Sequence, residues 1–123
     1  MYGYTGNLFY FCGMNWIDLT THAALDALIT ASQQQPQVIF KHSTRCSIST
    51  MAKARLERTY QPIGANFFYL DLLRHRDISD KIAEHFHVHH ESPQILVIKN
   101  GVCVYTESHS GINMDDIEEQ VAA

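Results

Sequence analysis

The chain has 123 residues, 46% of them apolar, which suits a single globular domain and argues against disorder, collagen or coiled coil. Nine Lys+Arg against 13 Asp+Glu give a net charge of −4, and without a basic run this is a poor partner for nucleic acid or an anionic membrane. Three cysteines are too few for a disulfide framework and point to a reducing, cytoplasmic setting.

No stretch approaches the roughly 20 apolar residues of a membrane span. The segment Met1–Gly13 is aromatic around Leu8–Cys12 but lacks a basic start and a small-residue cleavage site, so it does not read as a signal peptide. Residues 1–13 are expected to be a leader or extension, and 14–123 one domain beginning at Met14-Asn15-Trp16-Ile17. Thr20 or Thr21 caps a first helix whose apolar face holds Ala24, Leu25, Leu28 and Ile29. Gln33–Gln35 and Pro36 end it, and Val38-Ile39-Phe40 follows as a short buried strand.

A second helix starts after Cys46 and runs through Met51, Ala52, Ala54 and Leu56 toward Tyr60, stopping before Pro62. Phe67–Leu70 is the next strand, and a helix from about Asp77 places Ile78, Ile82, Ala83 and Phe86 on one side. Ile95–Ile98 and Val102–Tyr105 flank Asn100-Gly101, a strong two-residue hairpin signal. A last helix begins near Asn113, with Asp115 and Asp116 favourable to its dipole. The order αβαβαββα makes the first two strands parallel through a right-handed crossover and the last two an antiparallel hairpin. A mixed four-stranded sheet flanked by helices, an α/β thioredoxin-like arrangement, is the fold this order predicts.

Cys46 falls where strand turns into helix, after the polar turn Ser43-Thr44-Arg45. Unpaired N–H groups and the positive end of the helix dipole favour a thiolate there, and Lys41, His42 and Arg45 are candidates to add positive charge. A thiolate is the attacking species in thiol–disulfide exchange. Cys46-Ser47-Ile48-Ser49 is C-x-x-S: Ser49 can hydrogen-bond the sulfur but cannot close a disulfide, so an external thiol must resolve any mixed disulfide. Ser92-Pro93 precedes a strand, where a cis proline would lie against the cysteine and expose the Ser92 backbone to an extended substrate. Thr44, Glu91, Ser92 and Pro93 are therefore the expected substrate-lining residues. Cys103 alternates with Val102 and Val104 and reads as a sheet-face residue.

Eight histidines are many for this length, and His85, His87, His89 and His90 crowd one segment with His75 upstream. His85 and His89 share a face only if the helix continues, His87 and His89 only if a strand follows, so solvated histidines are expected rather than a metal site. His90 and Glu91 come just before Ser92 and are placed to line the thiol site.

The run Phe40–Ser49, with Tyr69-Leu70-Asp71-Leu72-Leu73, His75–Ser79, His90–Gln94 and Ile98–Gly101, resembles the YtxJ family of monothiol bacilliredoxin-like proteins over about residues 14–121. The resemblance implies a thioredoxin-like fold and a place in bacillithiol chemistry. Cys46 would take bacillithiol from S-thiolated client proteins, with no bound cofactor, and a second low-molecular-weight thiol or a reductase would regenerate it. Two departures stand out: the family often has Thr-Cys-Pro-Ile-Ser, whereas Arg45 precedes the cysteine here and Ser47 replaces the proline. The alternatives are a thioredoxin-like stress-response adaptor without redox turnover, and a metal or iron–sulfur carrier, for which the C-G-F-S and Gly-Gly features are absent.

Overall fold

The computed structural model describes residues 14–123, and the readings made for residues 1–13, Cys12 included, lie outside it. In chain order the elements are β1 (Trp16–Asp18), α1 (His22–Ala31), β2 (Gln37–His42), α2 (Ser47–Thr59), β3 (Asn66–Asp71) and α3 (Arg76–Phe86). They continue with β4 (Gln94–Lys99), β5 (Val102–Ser108), a 3-10 turn (His109–Gly111) and α4 (Met114–Ala122). The strands form one sheet in the order β1-β3-β2-β4-β5, with β1, β3 and β2 parallel and β4 antiparallel to both β2 and β5. The sheet thus has five strands among the described residues, not four. The addition is β1, three residues whose backbone groups pair with Phe67–Tyr69.

All six residues of β2 are buried, because the strand is central and covered on both faces. Val38 and Phe40 pack with Ala52 and Leu56 of α2 and with Ile117 and Val121 of α4. Ile39, pointing the other way, packs with Leu25 and Leu28 of α1 and with Ile78 and Ile82 of α3. The result is a sheet between two helical layers. No helix among the described residues is long and apolar enough to cross a membrane.

Local chemistry sets the element ends. Thr21 caps α1 by accepting the Ala24 N–H at 3.0 Å, and Asn113 caps α4 by accepting the Asp116 N–H at 2.9 Å. Asn100 (φ 53°) and Gly101 (φ 79°) are both left-handed, the conformation that a two-residue turn needs to match the strand twist. Between Val97 and Ile98 the β4–β5 register shifts, from Val97 opposite Tyr105 to Ile98 opposite Cys103. Cys103 consequently packs on the α1/α3 side and Tyr105 on the α2/α4 side. α3 ends at a left-handed His87, so residues 87–92 continue neither as helix nor as strand.

Leu96 is fully buried in β4 opposite Ile39. Leu96→Ala is expected to cost about 2–5 kcal/mol, from lost burial and the cavity it leaves. Urea unfolding followed by circular dichroism measures it; a loss below about 1 kcal/mol would mean the core collapses to fill the space.

Candidate active site

β2 and β4 run antiparallel with Lys41 opposite Gln94, so the end of β2 that feeds Cys46 lies beside the start of β4 that follows Pro93. The Ser92–Pro93 peptide bond is cis. Cys46 is the N-cap of α2, with an extended backbone (φ −101°, ψ 120°); its N–H donates to Ser43 O at 3.1 Å and its carbonyl accepts from Thr50 N at 3.0 Å. Its side chain makes no capping bond, and the residue is half-buried. Thr44 and Arg45 are exposed beside it. Ser47 occupies the first helical position, where a missing N–H is harmless.

Ser49 is fully buried, two residues into the helix. Its hydroxyl accepts the Ser43 N–H at 3.0 Å and lies 2.7 Å from His42 Nδ1. The serine of C-x-x-S is therefore tied to the strand end beneath the turn. His42 sits in an aromatic stack, 5.6 Å from Phe40 and 5.4 Å from Tyr69 between ring centroids. Burial, and then the charge of Lys53, hold its pKa below the ordinary histidine value, which favours the neutral imidazole.

Lys41 behaves differently from the expectation that it would act on Cys46. Strand alternation turns it to the α1/α3 side, where it is fully buried with Nζ 3.4 Å from Ser79 O and 3.3 Å from His90 Nδ1. Its charge is thus spent under the segment leading to the cis proline, on the opposite side of the sheet from α2. Burial lowers its pKa to about 8, with Asp80 opposing the shift. Burial and then the Lys41 charge likewise push His90 down.

The loop before Pro93 is braced by a residue not singled out in the sequence. The buried Gln94 amide donates to His89 O at 3.0 Å and Thr106 Oγ1 at 3.2 Å, while its carbonyl accepts the Glu91 N–H at 3.3 Å. His109 donates its N–H to Pro93 O at 3.1 Å, and the Glu91 carboxylate lies within 4.0 Å of both His89 and His109. Ser92 Oγ is buried without a hydrogen-bond partner among the described residues. Ile48 (53% exposed) and Met51 (66%) form an apolar groove of about 330 Å³ with Arg55, His109 and Ser110. Met51 therefore belongs to this surface, while Ala52 and Leu56 form the buried face of α2. Exposed apolar residues at positions i and i+3 of a helix start were the available signal.

Cys103 is half-buried on the edge strand β5, on the α1/α3 side of the sheet, with Sγ 3.3 Å from Tyr105 O; burial pushes its thiol up. The histidines do not converge: no group of three His, Cys, Asp or Glu among the described residues is arranged to hold a metal ion.

A half-buried cysteine opening a helix at the end of the central strand, beside a cis proline, defines a thioredoxin-fold thiol–disulfide oxidoreductase. The model of the family "Monothiol bacilliredoxin BrxC" matches residues 17–117, and the chain belongs to that family. An oxidoreductase candidate with a thioredoxin fold superposes with a TM-score of 0.76 at 29% identity, covering 87% of this chain and 93% of that one. Thioredoxin of Malassezia sympodialis gives 0.74 at 14% identity, with 96% and 100% covered. Mitochondrial thioredoxin 3 of Saccharomyces cerevisiae gives 0.68 at 19%, with 87% and 93% covered; these two relate to the chain by fold.

Two outcomes are expected here. Ser47→Pro should be tolerated or stabilising by about 0.4–1 kcal/mol, since the extended Cys46 backbone already suits a following proline; a marked drop in melting temperature would contradict this. Unfolded lysine keeps its proton to its ordinary 10.5, whereas Lys41 sheds it near 8, so between those values the unfolded chain holds one more proton. Stability should rise with pH across that window by about 3 kcal/mol. Lys41→Met should remove that rise, read as the difference between the two proteins' denaturation free energies near pH 7 and near pH 10. Parallel curves would mean the amine is solvated.

Proposed function

We propose that this protein removes bacillithiol, or a similar low-molecular-weight thiol, from protein mixed disulfides, with Cys46 as the only nucleophile. The Cys46 thiolate attacks the bacillithiol sulfur of the client disulfide. The client S–S bond breaks, the client thiolate leaves and takes up a proton, and Cys46 now carries bacillithiol. A second thiol attacks the outer sulfur, releasing Cys46 as thiolate and yielding a low-molecular-weight disulfide; the electron pair comes from that second thiol. No bound cofactor is needed, and the reading assumes the reducing interior of a cell.

The observation that carries the proposal is the pairing of an accessible N-cap cysteine with a buried serine at the place of a second thiol. Family membership supports the bacillithiol specificity. The groove along Ile48 and Met51 supports a protein client, offering an apolar surface next to the reacting sulfur. The unpartnered Ser92 hydroxyl beside the cis proline supports a polar contact to the incoming disulfide.

Intact-mass measurement with peptide mapping tests this. Reduced protein mixed with bacillithiol disulfide should gain one adduct rapidly, on Cys46, with glutathione disulfide slower and Cys103 unlabelled. Cys46→Ser should lose de-thiolation of a bacillithiolated client altogether. Slow, equal labelling of all cysteines, or activity retained in Cys46→Ser, would favour an adaptor without turnover.

A further inference from the structure

Ser49 Oγ carries one proton and two lone pairs, and its neighbours are fixed. The Ser43 N–H occupies one lone pair at 3.0 Å, and His42 Nδ1 stands 2.7 Å away. A neutral imidazole protonated on Nε2 presents Nδ1 as an acceptor, and the only group there with a proton to give is the Ser49 hydroxyl. In that arrangement Ser49 has nothing left to donate to a sulfur. A protonated imidazole reverses the bond: Nδ1–H donates to the second lone pair, and the hydroxyl proton is released. Ser49 is the third helical residue of α2 and Cys46 its N-cap, a pair whose side chains share the first turn.

We propose that His42 is a positioning residue that sets the direction of the Ser49 hydroxyl, toward itself when neutral and toward the Cys46 sulfur when protonated. This rests on Cys46 being the nucleophile of the function proposed above. The hydroxyl rotates and the half-buried Cys46 side chain turns in to meet it, so no covalent bond is made or broken in the step. With His42 neutral the thiolate lacks this donor and is the stronger nucleophile for the first exchange. With His42 charged the sulfur gains a donor and becomes the better leaving group for the second.

The surroundings of His42 come from three sides. α2 contributes Ser49, Lys53 and Glu57; β3 contributes Tyr69 and Asp71; its own strand contributes Phe40. Lys53 opposes the imidazolium while Asp71 and Glu57 favour it. Glu57 also holds Lys53 at 2.7 Å and accepts from Trp16 Nε1 at 2.7 Å, which fixes both charges in place. Burial is the largest of these influences and favours the neutral form.

Nitrogen NMR of histidine-labelled protein tests the proposal, with Cys12→Ser and Cys103→Ser present so that only Cys46 reacts. Neutral His42 should be the Nε2–H tautomer. Its proton affinity should be about fivefold higher with Cys46 reduced than with Cys46 methylthiolated, the scale of a modest coupling between two sites. Ser49→Ala should abolish that difference and Ser49→Thr retain it. A neutral Nδ1–H tautomer, readable in the protein with Ser49 intact, would overturn the proposal. So would equal affinities in the two Cys46 states, or a difference persisting in Ser49→Ala, which would be a through-space field. Methylthiolation uses no bacillithiol, so this result stands apart from the outcome of the bacillithiol transfer assay.

Discussion

Everything at the redox end depends on the antiparallel pairing of β2 with β4. Six buried residues anchor β2 between two helical layers, and the Lys41–Gln94 pair closes its ladder with β4 at this end of the sheet. Beyond that pair the chain passes through residues 42–45 into Cys46 on one side and arrives from Pro93 on the other. Neither segment needs its own core, because both are extensions of a strand that cannot slip: a shift of one residue would turn Phe40 and Val38 away from α2 and expose the wrong face.

The same alternation distributes charge. Lys41 and His42 are neighbours in sequence, yet one lies against α3 and His90 while the other lies against α2 and Ser49. The sheet keeps the lysine's positive charge on the proline side, and a titratable imidazole beneath the cysteine turn. Gln94 completes the proline side with three hydrogen bonds from one buried amide, which is how a six-residue segment without regular structure stays ordered.

Much of this was readable from residue order. The alternation of helices and strands, the caps at Thr21 and Asn113, the Asn100-Gly101 turn and the helix-start position of Cys46 each follow from short-range chemistry. β1 was not readable: three residues carry less than two periods of alternation, and its existence depends on the free edge of β3, some fifty residues away. The His42–Ser49 contact escaped for a related reason, since it joins the end of a strand to the first turn of a helix and no single period spans both. Lys41 is the instructive case. Its proximity to Cys46 in sequence suggested a shared site, whereas period two already placed it opposite Phe40 and His42.

The far end of the molecule is stitched by different bonds. Ser32, closing α1, accepts Asn100 N–H on its carbonyl and Gly101 N–H on its hydroxyl, both at 2.9 Å, and Lys99 reaches the last carbonyls of α4. Helices from both layers are thereby fastened to the β4–β5 hairpin at the pole remote from Cys46. A fold clamped at one pole can accept variation at the other. The turn and the proline loop can then be redesigned for other thiols without renegotiating the architecture that holds them.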